Sequence, residues 1–134
     1  MRNVVVTECP RADLSEVGAL TAFGVATVHE AIGRTGYLGP GIRPVHPGSR
    51  IGGTAVTVVC WPGDNLMIHA AVEQCCFGDV LVVTTTSPCA EKERASRAAF
   101  RHGELGLDRY GLRAVLAQAG VEYVDYQSYQ EASR

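Results

Sequence analysis

The side chains of this sequence that could do chemistry are few, and the first are His29 and Glu30 in the phrase "ATVHEA". A zinc-peptidase motif needs a second histidine one helical turn after the first, and Gly33 stands at that position. Glu30 therefore has two open interpretations. It is a carboxylate in the first turn of a helix, where it favours the helix dipole, or it is an active-site carboxylate.

Four further polar residues have a structural interpretation to be weighed against a functional one. His69 lies inside an apolar helical pattern, which is typical of a half-buried histidine but also suits a site residue. Asp64 and Asp79 each follow a glycine, and we predict that Asp64 caps a helix and that Asp79 lies in a turn. Glu93 belongs to a charged run whose spacing is typical of a solvent-exposed helix face.

The five cysteines do not form a metal or disulfide pattern, because their number is odd and no C-x-x-C occurs. We therefore expect small, buried thiols and a reducing, cytoplasmic environment.

Composition excludes several classes of protein. The 134 residues are enough for one domain with a real core, and 46% of them are hydrophobic. The net charge of -2 gives no basic surface for nucleic acid. No apolar run is long enough to span a membrane.

These residues must be positioned by a small set of elements, read from apolar periodicity and turn residues. After an extended lead-in, the pattern predicts a helix capped by Asp13, a short helix "VHEAIGR" capped by Thr27, and a loop rich in proline and glycine. A strand, a helix, a strand and two helices follow, and then a short strand and a frayed polar tail. Their ranges are 50–61, 65–76, 80–86, 91–101, 107–120, 121–126 and 127–134.

The strand–helix–strand order of residues 50–86 favours an α/β fold. The two strands are apolar on both faces, so both faces need cover. We find no sequence pattern that supplies this cover, and two long strands are few for an α/β sheet.

Longer phrases give a resemblance to a known family. "GDNLMIHAAVEQ" and "GDVLVV", together with "ATVHEA", place residues 24–88 close to the N-terminal half of the class II pyruvate aldolases. "GELGLDRY" and its surroundings resemble the C-terminal tail of the same enzymes, with Arg109 where methionine is common. The family shares its swivelling β/β/α fold with the regulator of ribonuclease activity A, which is a binding protein.

The resemblance implies both an activity and its residues. The enzymes cleave 4-hydroxy-4-methyl-2-oxoglutarate or 4-carboxy-4-hydroxy-2-oxoadipate to pyruvate with Mg or Mn, some also decarboxylate oxaloacetate, and they form trimer-based homo-oligomers. By this resemblance Glu30, His69 and Glu93 match catalytic positions, and Arg11 matches a substrate-binding position.

The central segment of the family has no counterpart here. That segment carries a Gly-Asp loop followed about twenty residues later by Arg-Asp, where the arginine binds pyruvate and the aspartate binds the metal. No Arg-Asp occurs in this chain. We therefore predict a single truncated α/β domain over residues 1–134, with an N-terminal half (1–89), a tail segment (90–126) and a frayed end (127–134).

The missing segment leaves several functional hypotheses open. The chain is inactive alone, or it rebuilds a site from Asp64, Asp79 and Arg101. Alternatively it is a non-catalytic binding protein or a partner subunit, or the product of a damaged gene.

Overall fold

The computed structural model describes residues 3–62, 64, 66–86 and 109–134. It shows a mixed α/β structure, as the sequence predicts. The elements in chain order are β1 (Val4–Thr7), α1 (Leu14–Phe23), α2 (Val25–Ala31), β2 (Thr54–Cys60), α3 (Leu66–Gln74), β3 (Asp79–Thr85), α4 (Arg109–Gln118), β4 (Glu122–Asp125) and α5 (Tyr126–Ala132). The predicted helix 91–101 lies outside the described residues.

The strands of the described residues form two sheets of two strands each. β1 and β4 run parallel, with Val5 opposite Tyr123. β2 and β3 form the second sheet. The Thr54 amide at the start of β2 donates to the Gly78 carbonyl just before β3. The Thr86 amide just after β3 donates to the Cys60 carbonyl at the end of β2. The two strands therefore run parallel as well.

Tertiary contacts divide the chain into two compact units. The first contains the described residues of 1–10, 55–76 and 81–134, and the second contains 11–54 and 77–80. Each unit is described below by itself.

Helix α3 is the centre of the first unit, because it is buried on two sides. Ala70, which has no exposed surface, packs with Val5, Leu116 and Val121 in one apolar cluster. The next residue, Ala71, packs with Val58 and Cys60 of β2 in another. Only small side chains fit where neighbours approach from both sides.

The outer face of β2 has no such cover. Burial alternates along the strand, with Val58 and Cys60 buried while Val59 is 46% exposed. The sequence predicts that both faces of this strand need cover. Among the described residues, the face of β2 that carries Val59 is exposed.

Capping residues explain several helix boundaries. The Asp13 carboxylate accepts hydrogen bonds from the amides of Ser15 and Glu16, as predicted for an N-cap. The Ser15 hydroxyl also donates to it, and these bonds hold the pKa of Asp13 below its usual value. Asp64 accepts from the Leu66 amide at 2.8 Å and so caps α3 as predicted.

Two sequence predictions of local structure are wrong, and one is incomplete. The extended lead-in contains strand β1 at residues 4–7, because these residues pair with β4 more than a hundred residues away. Helix α2 follows Gly24 directly and does not begin at Thr27. The tail predicted to fray from residue 127 forms α5, because the Asp125 carboxylate accepts from the Ser128 amide and caps a helix there.

No helix among the described residues is long and apolar enough to cross a membrane.

The packing of α3 gives a first prediction. Ala70→Leu should destabilise the protein by about 1–3 kcal/mol, because three added carbons have no space between the two packed sides of the helix. Chemical denaturation followed by circular dichroism measures the change.

Ala114→Leu is the matched control, since Ala114 is exposed on α4 and the same substitution there should change the free energy of unfolding by less than about 0.5 kcal/mol. Equal effects of the two substitutions would contradict the central position of α3.

Candidate functional site

Glu30 lies in the last turn of α2, which is contrary to the expectation that it lies in the first turn. The negative end of the helix dipole is there, so the dipole disfavours the carboxylate. Its oxygen is 3.5 Å from the Arg34 guanidinium, and both side chains are mostly exposed, at 68% and 74%. An exposed ion pair of this kind holds a side chain only weakly.

The neighbouring His29 is more constrained than Glu30. Its Nε2 atom is buried and has no hydrogen-bond partner within the described ranges. Its ring lies 5.8 Å from that of Tyr37. In the sequence, His29 is distinguished only by an incomplete zinc-binding motif. In the structure, its imidazole packs against an aromatic ring and its Nε2 is removed from solvent.

His69 is a core residue of the first unit. It lies on α3 beside Ala70 and is only 6% exposed. This position matches the structural interpretation of a histidine in an apolar helix, with its imidazole largely removed from solvent. Its assignment as a catalytic residue stays a prediction, as does that of Glu93, which lies outside the described residues together with Arg101.

Arg11 and Asp79 form an ion pair within the second unit. The Arg11 Nε lies 3.1 and 3.0 Å from the two carboxylate oxygens of Asp79. The Asp79 side chain is only 3% exposed, against 28% for Arg11. Asp79 is the first residue of β3, whereas the sequence predicted a turn. Because Arg11 faces a buried carboxylate of its own chain, much of its charge is compensated before any substrate binds.

A second buried carboxylate joins three elements of the first unit, and the sequence did not reveal it. Glu73 of α3 is 4% exposed and accepts from Arg113 Nε on α4 at 2.6 Å. It also accepts from the Tyr123 hydroxyl on β4 at 3.1 Å. The guanidinium carbon of Arg113 lies 5.3 Å from the centre of the Tyr123 ring, within cation–π distance.

This network determines the protonation of Tyr123. Burial raises the pKa of its hydroxyl, and the negative charge of Glu73 raises it further, while Arg113 opposes both. Tyr123 is therefore protonated at neutral pH. It serves as a hydrogen-bond donor to Glu73 and is not suited to act as a general base.

An open groove of about 580 Å³ adjoins this network in the first unit. It lies beyond the C-terminal end of β1, and its lining includes both Arg113 and Tyr123. The lining residues are Thr7, Glu8, Gln74, Arg113, Ala117 and Tyr123.

The described residues do not fit a divalent metal ion. No group of three histidine, cysteine, aspartate or glutamate side chains converges in the part of the chain that the structure describes. The two aspartates that follow a glycine already have other partners, because Asp64 caps α3 and Asp79 binds Arg11.

The described cysteines carry thiols and form no disulfide. Cys60 is buried and its Sγ lies 3.6 Å from the Thr84 carbonyl oxygen, as expected for a structural thiol. Cys76 is exposed, which is contrary to that expectation.

The ion pair of Arg11 gives a prediction that separates a structural role from a substrate-binding role. In a double-mutant cycle of Arg11→Gln and Asp79→Asn, we expect a coupling free energy of about 1–3 kcal/mol, because both partners are largely shielded from water. Urea unfolding of the four proteins measures it.

Arg34→Gln with Glu30→Gln is the matched control cycle, and this exposed pair should couple by about 0.5 kcal/mol or less. If the Arg11 cycle gave no more coupling than the control, the ion pair would not contribute to the fold.

Tyr123 gives a prediction on pH. A group whose pKa is raised by folding favours the folded state below its unfolded pKa, so stability due to Tyr123 should fall as the pH rises beyond 10.0. Glu73→Gln should lower the pKa of Tyr123, though not to its ordinary value, because burial persists.

NMR titration of tyrosine carbon resonances measures this pKa, and Tyr123→Phe assigns the signal. That variant should also lose less stability than the wild type above pH 10.0. An unchanged or higher pKa in Glu73→Gln would show that the Glu73 charge does not act on Tyr123.

Comparison with known proteins agrees with the resemblance noted in the sequence. A family model described as RraA-like, Aldolase/RraA, matches residues 12–111. The match includes Glu30, His69 and Glu93, and it extends across residues 89 and 90, where the two resembling segments meet. With about three quarters of its residues in that match, the chain belongs to the RraA-like family, Aldolase/RraA.

Proposed function

We propose that this chain is an aldolase/RraA-type protein that does not cleave its family's substrates on its own. Those substrates are 4-hydroxy-4-methyl-2-oxoglutarate and 4-carboxy-4-hydroxy-2-oxoadipate, and oxaloacetate for decarboxylation. The observation that carries the proposal is the absence of Arg-Asp anywhere in the 134 residues. The truncation accordingly lies near residues 89 and 90, between an N-terminal half and a tail segment of one domain.

The chemistry explains why this absence matters. Retro-aldol cleavage of a 2-oxo acid develops negative charge on the pyruvate fragment, and that charge needs a positive group placed beside it. In the family a divalent metal and an arginine supply the positive charge. Here Arg11 already faces Asp79, and the exposed Glu30 repels a substrate with two or three negative charges.

The family's site residues keep proposed roles under this reading. Glu30, His69 and Glu93 are vestigial catalytic residues, and Arg11 is a vestigial substrate-binding residue. The exposed position of Glu30 and its single weak ion pair support loss of function, since a working general base is held in place by its surroundings. A rebuilt site from Asp64 and Asp79 has less support, because both carboxylates are engaged in the fold.

A second candidate function is that of a non-catalytic binding protein or partner subunit in a homo-oligomer, working in the cytoplasm. The second unit supports it. Its described residues include many large apolar side chains that are more than half exposed, such as Phe23, Val25 and Leu38. Exposed apolar surface of this extent is typical of proteins that bind other chains.

The proposal is tested by pyruvate release. Purified protein supplied with each of the three substrates, and with Mg or Mn, should release pyruvate no faster than the same substrate in buffer with metal alone. A coupled lactate dehydrogenase assay measures the rate, with a full-length aldolase of the family as the positive control.

Glu30→Gln is the matched variant, since the substitution removes the charge and keeps the shape. Turnover well above the metal control that is lost in Glu30→Gln would overturn the proposal and show that Glu30 is a working catalytic residue. Turnover that persists in the variant would overturn it without implicating Glu30.

A further inference from the structure

The groove lined by Arg113 and Tyr123 is a concave site that the lyase reaction does not use. Its volume of about 580 Å³ lies within the range of small-ligand pockets, roughly 300–1,000 Å³. It adjoins Thr7, the last residue of the parallel strand β1, and ligands of α/β sheets bind beyond the carboxyl ends of such strands. Its described lining does not include the residues that match catalytic or substrate-binding positions of the family.

Glu8 is the strained residue of this groove. Its backbone φ is 58°, in the left-handed region that glycine adopts freely and other residues adopt at a cost. Among the described residues, Glu8 is exposed and no hydrogen bond or ion pair engages its carboxylate. No polar contact of the side chain therefore offsets the strain, and strain of this kind is concentrated at ligand sites.

The charge of Arg113 is balanced within the first unit, whereas that of Glu8 is not. Arg113 Nε lies 2.6 Å from a carboxylate oxygen of Glu73, which is only 4% exposed. With -1 from Glu8, +1 from Arg113 and -1 from Glu73, the groove and the carboxylate behind it sum to -1. The net charge of the site is therefore that of Glu8.

Two helices end beside the groove and make its potential more negative. Gln74 is the last residue of α3, and Ala117 lies one residue before the end of α4. The C-terminal end of a helix carries partial negative charge and favours cations. Neither helix has a basic residue in its last turn, so the last turns leave this charge uncompensated.

We propose that this groove binds an organic cation, the ammonium or guanidinium end of an alkyl chain, and that Glu8 pairs with it. A carboxylate forms its strongest hydrogen bonds with such groups, and the ends of α3 and α4 favour the same sign of charge. The site does not involve Glu30 or the lyase reaction, so failure of this proposal is distinguishable from failure of the proposed function.

NMR titration of the isotope-labelled full chain with pentylammonium and with butylguanidinium tests the proposal. We expect saturable shifts with a Kd on the order of 1 mM, which suits ligands of about six to eight non-hydrogen atoms. The shifted amides should include those of Thr7, Glu8 and Gln74. The uncharged 1-pentanol and the oppositely charged pentanoate should each bind at least about tenfold more weakly, because neither pairs with a carboxylate.

Glu8→Gln removes the charge and keeps the shape, so it should weaken the binding of both cations about tenfold or more. Glu131→Gln is the matched control, since Glu131 is exposed on α5 and does not line the groove. This variant should bind like the wild type. Equal affinity of Glu8→Gln and the wild type, shifts that avoid the groove, or tighter binding of pentanoate than of pentylammonium would overturn the proposal.

Glu8→Gly separates ligand binding from folding and covers the case in which Glu8→Gln does not fold. The variant should unfold at a urea concentration close to that of the wild type, because relief of strain offsets the greater entropy of its unfolded chain. Its affinity for the two cations should nevertheless fall about tenfold or more. Cation binding at wild-type affinity in this variant would contradict the role of Glu8.

The source of the cation is distinguished by two ligands with the same charged group. Pentylammonium represents a free amine, whereas Nα-acetyl-lysine methylamide presents its ammonium as a peptide side chain does. Tighter binding of either one supports the cation site and identifies a small amine or a basic peptide as its occupant. Failure of both to bind would overturn the proposal.

Discussion

Close packing on both sides of helix α3 is the constraint on which the first unit depends. Ala70 is buried against β1, α4 and the residue before β4, and Ala71 against β2. Met67 contacts both clusters. A two-stranded sheet is at best marginal in water, so each of the two sheets gains its stability from the same helix. Position 70 must therefore hold a small residue. Because one helix packs against both sheets, no space is left there for a larger side chain.

Each unit also contains a buried carboxylate paired with an arginine. Glu73 and Asp79 are only 4% and 3% exposed, and each has a guanidinium nitrogen within hydrogen-bond distance. A charge removed from water is costly unless such a partner is present. In an aldolase, arginine and aspartate are the residues that bind substrate and metal. Here Arg11 and Asp79 bind one another, so the same chemistry serves the fold. Membership of the aldolase/RraA family does not by itself establish a reaction, because function depends on what the side chains of a site contact.

The two units differ in how they are stabilised. The first has two apolar clusters around α3. The described residues of the second are held by polar and backbone contacts: helix caps, the Arg11–Asp79 pair and close backbone approach at Gly53. A Cβ at Gly53 would overlap the Gly78 carbonyl and lie 2.8 Å from Val80 Cγ2. Such contacts fix the path of the chain but bury little apolar area, and burial is the larger source of stability. The exposed helices α1 and α2 are the consequence.

The sequence by itself determined the local structure and the family. Asp13 and Asp64 cap their helices as predicted, and β2, α3, β3, α4 and β4 lie where apolar periodicity placed them, because these features depend on residues a few positions apart. The sequence did not reveal that the extended segment of β1 pairs with β4, and it did not predict helix α5, which Asp125 caps. Only the tertiary structure decided that His69 is in the core, that Arg11 meets Asp79, and that Glu73 joins Arg113 and Tyr123. These pairs are 68, 40 and 50 residues apart. Their meeting depends on the path of the whole chain, which no local pattern encodes.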